Sequence, residues 1–329
     1  MSAERLEPDS AAAAAELTRA AAAARRSLLP CGRHTRLRRH FPDAAPAAWL
    51  SLRRLDRIRS VDADDQTCVV EPGVSEHALN EAVAPHGLEL GAAAPCAREG
   101  TLGGLFLAPD VSLLRAPWGP PRDQVLGASW LLSDGTPVRS GARVVKSVAG
   151  YDVTRLFLGS RGRLAACTEL TLRLRPRPRA PRWYRVPPVQ LRAWLHPDPR
   201  QRVPARLLFQ VDGALWAQTD GVDVAGALHA GRVDAAEGLA AFERCRAAFG
   251  AAAQRAALPF SAAAALAGLA VAADLLAASF AADDAGAAAA ALGLEAGLCR
   301  VVPQPAPSPW LERLQQACAP AAVPFGGGP

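Results

Sequence analysis

Three short stretches of this chain carry the residue types that hold an anion: Gly32-Arg33-His34-Thr35, Gly100-Thr101-Leu102-Gly103-Gly104 and Gly159-Ser160-Arg161-Gly162. Glycine lets the main chain come close to a ligand. Turns that expose successive N–H groups bind phosphate or a carbonyl-rich ring. The third stretch ends the segment Val144–Leu164, which also holds Lys146, the only lysine among 37 Lys and Arg residues. Taken alone, the first turn also reads as a plain surface turn, and Lys146 as a solvated base. Neither a Walker loop nor a G-x-G-x-x-G fingerprint is present, because the required glycines and lysine are missing. His34, His40, His77, His86, His196 and His229 stand isolated, and no nucleophile–base pair or metal-ligand spacing emerges. The catalytic residue is therefore left unassigned, and no metal is expected.

The elements that must position these turns are legible in outline. A helix is expected over Glu16–Arg26, then an apolar step at Leu28-Leu29-Pro30 running into the first turn. Ala48–Leu55 reads as a strand. Thr67–Glu71 is a β-branched strand ended by Pro72-Gly73. Ser75 can cap a helix running through Ala84, with Glu76 near its positive end and Gly87 as its stop. The extended Leu88–Leu90 completes a strand–turn–helix–strand unit. Gly100–Gly104 reads as a turn with apolar Leu105–Leu107 behind it. Trp118–Asp123 forms a rigid loop, and Ser133-Asp134-Gly135 joins a hairpin between Gln124–Leu132 and Pro137–Ser140. Cys167–Arg175 alternates, with Leu170, Leu172 and Leu174 on one face. Pro176 and Pro178 end it, which places a domain boundary near residue 180: 1–180 and 181–329. Beyond it we expect a hairpin of Arg206–Val211 with Ala214–Gln218. Helix then follows from Ala235 to Phe249 and on through the Ala/Leu-rich stretch to about Leu294. A strand at Leu298–Val302, a last helix at Pro309–Cys318 and a loose tail, Phe325–Pro329, complete the chain.

Composition excludes several classes. Half of the 329 residues are apolar and 21% charged, an ordinary globular balance. Asn80 and Ile58 are the single Asn and Ile, a skew that looks like GC-rich codon usage and lowers the meaning of the Ala runs. The net charge of +6 comes from arginines scattered among 31 acids, and aromatics make up only 5%, so a nucleic-acid face is not expected. The seven cysteines (31, 68, 96, 167, 245, 299 and 318) include no C-x-x-C pair, which argues for a reducing compartment. The first twenty residues have acids where a signal peptide needs cations. The Ala-rich run Ser261–Ala282 is the most membrane-like, but Asp274 interrupts it. The expectation is a cytoplasmic protein without a membrane span, peripheral to the inner membrane through partners.

The order of the parts carries more information than any one of them. A G-x-x-T-R turn, a strand–Pro-Gly–helix unit, a T-x-G-G turn and a hairpin precede V-K-x-V-A-G-Y-D-x-x-R-L-x-x-G-S-x-G. This order resembles the FAD-binding domain of the vanillyl-alcohol oxidase, or PCMH, type, and within it the E subunits of glycolate oxidase. The resemblance runs from about Glu16 to Arg179. It is most specific over Val145–Gly162, with Pro117-Trp118-Gly119 and Arg122-Asp123 in support. It implies an α+β protein: two α/β subdomains that bind FAD non-covalently, followed by a smaller, reduced α+β C-terminal lobe. It implies that Gly32, Arg33, His34 and Thr35 wrap the pyrophosphate, and that Thr101, Gly103 and Gly104 follow the pyrophosphate and ribityl chain. Gly159, Ser160, Gly162 and Leu164 would run along the flavin and adenosine side. It implies a larger FAD-binding D-type subunit and an iron–sulfur F-type subunit as partners, with a small 2-hydroxy acid as the substrate of the complex. The alternative is a scaffold subunit of that complex that has lost its flavin. The chain departs from the pattern at Ser147, where the family has Asn, and at Phe325–Pro329, which lacks the family's Asn-Pro-Gly.

Overall fold

The computed structural model describes residues 4–36, 46–92, 98–109, 112, 114, 118–141, 153–186, 205–212, 214–225, 230–251, 254–259, 270–273, 277–282, 300–301, 313–314 and 316–317. Lys146, the turn at 150–152 and the tail Phe325–Pro329 lie outside these residues.

A three-stranded parallel sheet comes first. Strand β1 (Glu4–Leu6) leads to helix α1 (Ala11–Ala23), then to β2 (Leu28–Cys31) and β3 (Ala48–Ser51), with β3 in the centre. The helix starts at Ala11 rather than Glu16 because Ser10 caps it, its Oγ accepting from the Ala13 N–H at 3.2 Å. Ala14 and Ala21 pack on Leu28, Ala48 and Leu50, all buried. Small side chains on α1 let it lie close to the sheet.

A five-stranded antiparallel sheet follows, in the order β4-β5-β9-β7-β8. Its members are β4 (Ile58–Asp62), β5 (Thr67–Val70), β7 (Val125–Leu131), β8 (Pro137–Gly141) and β9 (Ala166–Arg173). Central β9 shows the expected alternation: Leu170 and Leu172 are fully buried and pair with Val70 and Cys68. Between β5 and β7 lie helix α2 (Glu76–Val83), the short strand β6 (Leu88–Glu89) and helix α3 (Leu102–Leu107); α4 (Val153–Phe157) precedes β9. Ser75 Oγ caps α2 by accepting from Ala78 N–H at 3.1 Å, and Gly87 stops it at φ +68°. The turn expected at Gly100–Gly104 is instead the start of α3. Two glycines disfavour a helix there, but Thr101 caps it, and Leu102, Leu105 and Phe106 gain burial in the main core.

From β10 (Arg175–Pro176), which pairs with β6, the chain enters an eight-stranded sheet. That sheet contains β11 (Pro181–Val186), β12 (Leu207–Val211), β13 (Ala214–Asp220), β14 (Gly231–Val233), β15 (Gln254–Pro259), β16 (Ala270–Ala273), β17 (Ala277–Ala282) and β18 (Arg300–Val301). Helix α5 (Ala235–Ala251) packs Phe242 against Trp183 and Phe209. Among the described residues, the helix expected from the Ala/Leu-rich stretch to about Leu294 is not formed. The described parts of that stretch are strands, with β16 pairing to β12 through Phe209↔Ala272 and β17 pairing to both β15 and β16. Alanine's helix preference is small per residue, and an unpaired edge on β12 outweighs it. The partly buried pair Arg206–Glu89 ties this sheet to β6, with Arg206 Nη1 also donating to Gln218 Oε1 at 2.7 Å. The mix of helices and mostly antiparallel strands is the α+β class expected.

One buried charge underpins the five-stranded sheet. The Glu71 carboxylate is 2% exposed and accepts from the Arg57 backbone N–H at 2.9 Å and from the Arg57 and Arg59 guanidiniums. Burial by itself raises its pKa, yet these donors outweigh burial and hold it below the ordinary carboxylate value. A depressed pKa stabilises the fold above the unfolded-state value, and that contribution is lost as pH falls through the folded one. Glu71→Gln should therefore cost about 1–3 kcal/mol in urea unfolding at about pH 7, the arginines being half exposed and able to rehydrate. The gap to the parent should close as the pH is taken below about 4. A gap that stays constant with pH would show that the carboxylate's charge contributes nothing.

Candidate cofactor-binding site

The first wall of the site is the turn that leaves β2. Leu52 N–H donates to Cys31 O at 2.8 Å and fixes where the strand ends. The chain then bends through His34, whose φ is +60°. Such a value is uncommon for a residue with a Cβ. The His34 ring meets Trp49 edge-on at 4.8 Å, and Arg33 Nη1 reaches Arg98 O at 3.3 Å. The backbone N–H groups of Gly32, Arg33 and Thr35 donate to no acceptor among the described residues. They are available to a ligand.

The second wall is the start of α3. Thr101 Oγ1 accepts from Gly104 N–H at 3.2 Å, while Leu102 and Gly103 N–H donate to Val74 O and Pro72 O, each at 2.8 Å. The first-turn amides are thus spent on the Pro72–Val74 loop. What Thr101, Gly103 and Gly104 offer the site is a hydroxyl that can still donate and a surface without side chains. A Cβ on Gly32 would stand 2.3 Å from Thr101 Oγ1, and one on Gly103 2.8 Å from Pro72 Cβ. Both glycines are required for these segments to touch.

The third wall follows α4. Gly159 and Arg161 N–H donate to Phe106 O at 3.0 Å and to Leu107 O at 2.7 Å, which clips this turn onto the end of α3. Gly159, Arg161 and Gly162 all have left-handed φ, at +79°, +59° and +76°. The Ser160 Oγ is buried without a hydrogen-bond partner among the described residues. Leu164 is 4% exposed and belongs to the core with Phe106, so it supports the turn from behind.

Together the walls line a cavity that opens to solvent. Of the residues anticipated from sequence, Gly32, Arg33, His34, Thr35, Thr101, Gly103, Gly104 and Gly162 line it; Gly159, Ser160 and Leu164 do not. Sequence reasoning passed over Arg36 and Arg161, although each adjoins a Gly turn already singled out. Arg36 is 3% exposed, and its Nη1 lies 3.5 Å from where a Gly104 Cβ would stand. Arg161 loses basicity first through burial and then through the neighbouring Arg163 charge. Arg33, Arg36 and Arg161 line the cavity together, and no described lining residue is a carboxylate. The two cysteines in the wall are neutral thiols: burial pushes Cys31 up to about 12 and Cys167 higher still. They supply no nucleophile.

The unused amides of the first turn, the Thr101 hydroxyl and the cationic lining suit a diphosphate, so the site fits the pyrophosphate of FAD. Residues 3–141 match the family described as an FAD binding domain. Over those residues the chain is similar to this family. Glycolate oxidase subunit GlcD of Bacillus subtilis is 34% identical over 129 residues, which are 39% of this chain and 27% of the relative. Glycolate oxidase subunit GlcE of Escherichia coli is 36% identical over 126 residues, 37% of this chain and 36% of the relative. The mitochondrial D-lactate dehydrogenase [cytochrome] of Arabidopsis thaliana is 31% identical over 155 residues, 46% and 26% of the two chains. The chain thus covers roughly a quarter to a third of the length of these relatives. The structure is similar to that of alkyldihydroxyacetonephosphate synthase, with a TM-score of 0.70 over 96% of this chain and 75% of that one at 12% identity. The shared fold therefore extends well past the stretch where sequence similarity is found. Among the described residues no helix is long and apolar enough to cross a membrane.

The close contact of Gly32 with Thr101 yields a prediction. Gly32→Ala should push the first turn off α3 and weaken FAD binding at least tenfold by fluorescence titration, with a modest loss of thermal stability of about 1–3 kcal/mol. An unchanged affinity would mean that the two walls need not touch.

Proposed function

We propose that this chain is the FAD-binding subunit of a 2-hydroxy-acid dehydrogenase complex of the glycolate oxidase kind, supporting oxidation of glycolate to glyoxylate. The observation that carries this reading is the arginine-walled cavity with unused amides at Gly32, Arg33 and Thr35. The similarity to GlcD, GlcE and a D-lactate dehydrogenase, all named for 2-hydroxy acids, supports the substrate class. Bound FAD supplies the hydride acceptor. The chain's part is to hold it. The amides of the first turn and Thr101 receive the pyrophosphate, and the segment of Gly159, Ser160 and Gly162 lies toward the flavin and adenosine side. Leu164 backs that segment. The cavity has no carboxylate among its described lining residues that could take a substrate proton. The hydroxy acid is therefore oxidised on a larger D-type flavoprotein partner, and electrons leave through an iron–sulfur F-type partner. In this reading residues 1–180 form the FAD-binding part and 181–329 a cap-like lobe. The complex works in the cytoplasm, peripheral to the inner membrane through its partners.

One observation favours a second reading, a flavin-free scaffold of the same complex. The amides of Leu102, Gly103, Gly159 and Arg161 already bind protein carbonyls, so the turns hold together without a ligand. Purification of the chain, alone and with its partners, separates the two. A yellow protein with FAD near one per chain supports the first reading. A colourless protein that takes up no added FAD yet co-purifies with two partner subunits establishes the scaffold.

A further inference from the structure

Resting on the FAD reading above, we propose that Arg36 and Arg161 neutralise the diphosphate, so that affinity at this site depends on guanidinium charge more than on the main-chain amides of the Gly turns. The amide supply is smaller than three Gly turns suggest. Leu102, Gly103 and Gly104 N–H are donated to Val74 O, Pro72 O and Thr101 Oγ1, and Gly159, Ser160 and Arg161 N–H to carbonyls of Phe106, Phe157 and Leu107. Only the first turn keeps several donors for a ligand. A diphosphate carries two negative charges, and amides at that number leave much of this charge uncompensated in a partly enclosed site.

The arginines are placed to supply the remainder. Arg36 is nine-tenths buried beneath the first turn and approaches Gly104, the point where the second wall faces the cavity. Arg161 enters from the opposite wall on a left-handed backbone between two left-handed glycines. Arg33 stands at the rim, where its Nη1 already serves Arg98 O. No carboxylate lines the cavity among the described residues, and both arginines belong to its lining, so an anion there meets cationic side chains. Guanidinium bonds to phosphate are charge-assisted and stronger than neutral ones.

Two consequences separate this assignment from a purely amide cradle. FAD binding should weaken several-fold between about 50 and 500 mM salt, since screening acts on charges and not on amides. Inorganic pyrophosphate should displace FAD, and riboflavin, which has the ring without phosphate, should bind at least tenfold more weakly.

The test is titration of the apo chain with FAD, riboflavin and inorganic pyrophosphate, followed by flavin fluorescence and calorimetry across the salt range. The parent would be compared with Arg36→Lys, Arg36→Gln and Arg161→Asn; asparagine tolerates the left-handed backbone there. Arg139→Gln, an equal charge change outside the cavity, is the control. We expect Arg161→Asn and Arg36→Gln each to lose about tenfold in FAD affinity with a flatter salt dependence, Arg36→Lys to recover most of the loss, and Arg139→Gln to match the parent. Should Arg36→Gln fail to fold, as its melting curve will show, Arg161→Asn and the salt titration of the parent decide the matter. Salt-independent FAD binding with an unaffected Arg161→Asn overturns the role of the arginines and leaves the FAD reading standing. A parent chain that binds no FAD at low salt overturns that reading itself, and this inference with it.

Discussion

The six-residue helix α3 is the constraint on which the rest of the site depends. Its cap, Thr101, fills the space that a Cβ on Gly32 would need. Its first amides fasten the Pro72–Val74 loop, and its last carbonyls, on Phe106 and Leu107, receive Gly159 and Arg161. Three turns that are distant in sequence are thus fixed to one short element. A helix of this length is not stable alone. It is held because Leu102, Leu105 and Phe106 are buried in the core that also takes Leu170 and Leu172 of β9. The alternation of β9 positions that core, and through it the site.

Much of this was legible in the sequence, for local reasons. Ser75 and Gly87 bound α2 through contacts within a few residues, and Leu170, Leu172 and Leu174 mark β9 by period alone. The Gly turns were visible as turns. What could not be read was where their N–H groups go. Leu102 and Gly103 donate to residues some thirty positions away, so a stretch that looks like an open amide cradle is largely closed. Helix α3 itself was hidden because its two glycines argue against it locally, while its stabilisation comes from burial. The Ala-rich strands failed for the opposite reason: alanine fits either state, and pairing with β12 decides. Arg36 and Arg161 were missed because one arginine among 36 carries no local mark. Only burial and a shared cavity single them out.

Sequence similarity and structural similarity cover different extents of this chain, and the difference has a physical source. The matched family ends at residue 141, whereas the fold shared with alkyldihydroxyacetonephosphate synthase covers 96% of the chain at 12% identity. Around the cavity, a side chain must lie directly on glycine backbone: Thr101 on Gly32 and Pro72 on Gly103 leave no room for a Cβ. The eight-stranded sheet makes this demand where α5 lies on it, at Gly238 against Trp183, and less within its strands. Its strands are joined by main-chain hydrogen bonds that many apolar or small residues satisfy, and the alanines of β16 and β17 meet that requirement.

The two parts nevertheless meet at points of high chemical specificity. Glu89 on β6 and Arg206 before β12 form a partly buried ion pair, and removing either partner would leave the other charge poorly solvated. Close by, Gln124 is fully buried and pairs with both the N–H and the carbonyl of Gly91, at 3.0 and 2.7 Å. Trp118 packs where a Gly91 Cβ would stand and lies beneath the Arg175 guanidinium at 4.9 Å. Such contacts add little net stability over an apolar equivalent, but they penalise any other arrangement heavily. The Arg206–Glu89 pair, with Trp118 packed on the cluster of Trp183 and Phe209, ties the eight-stranded sheet to the preceding part of the chain even though the sheet's own residues are loosely specified. The register of the lobe is set at β6 and β10, a few residues from the end of β9, and so by the same strand that holds α3 in place.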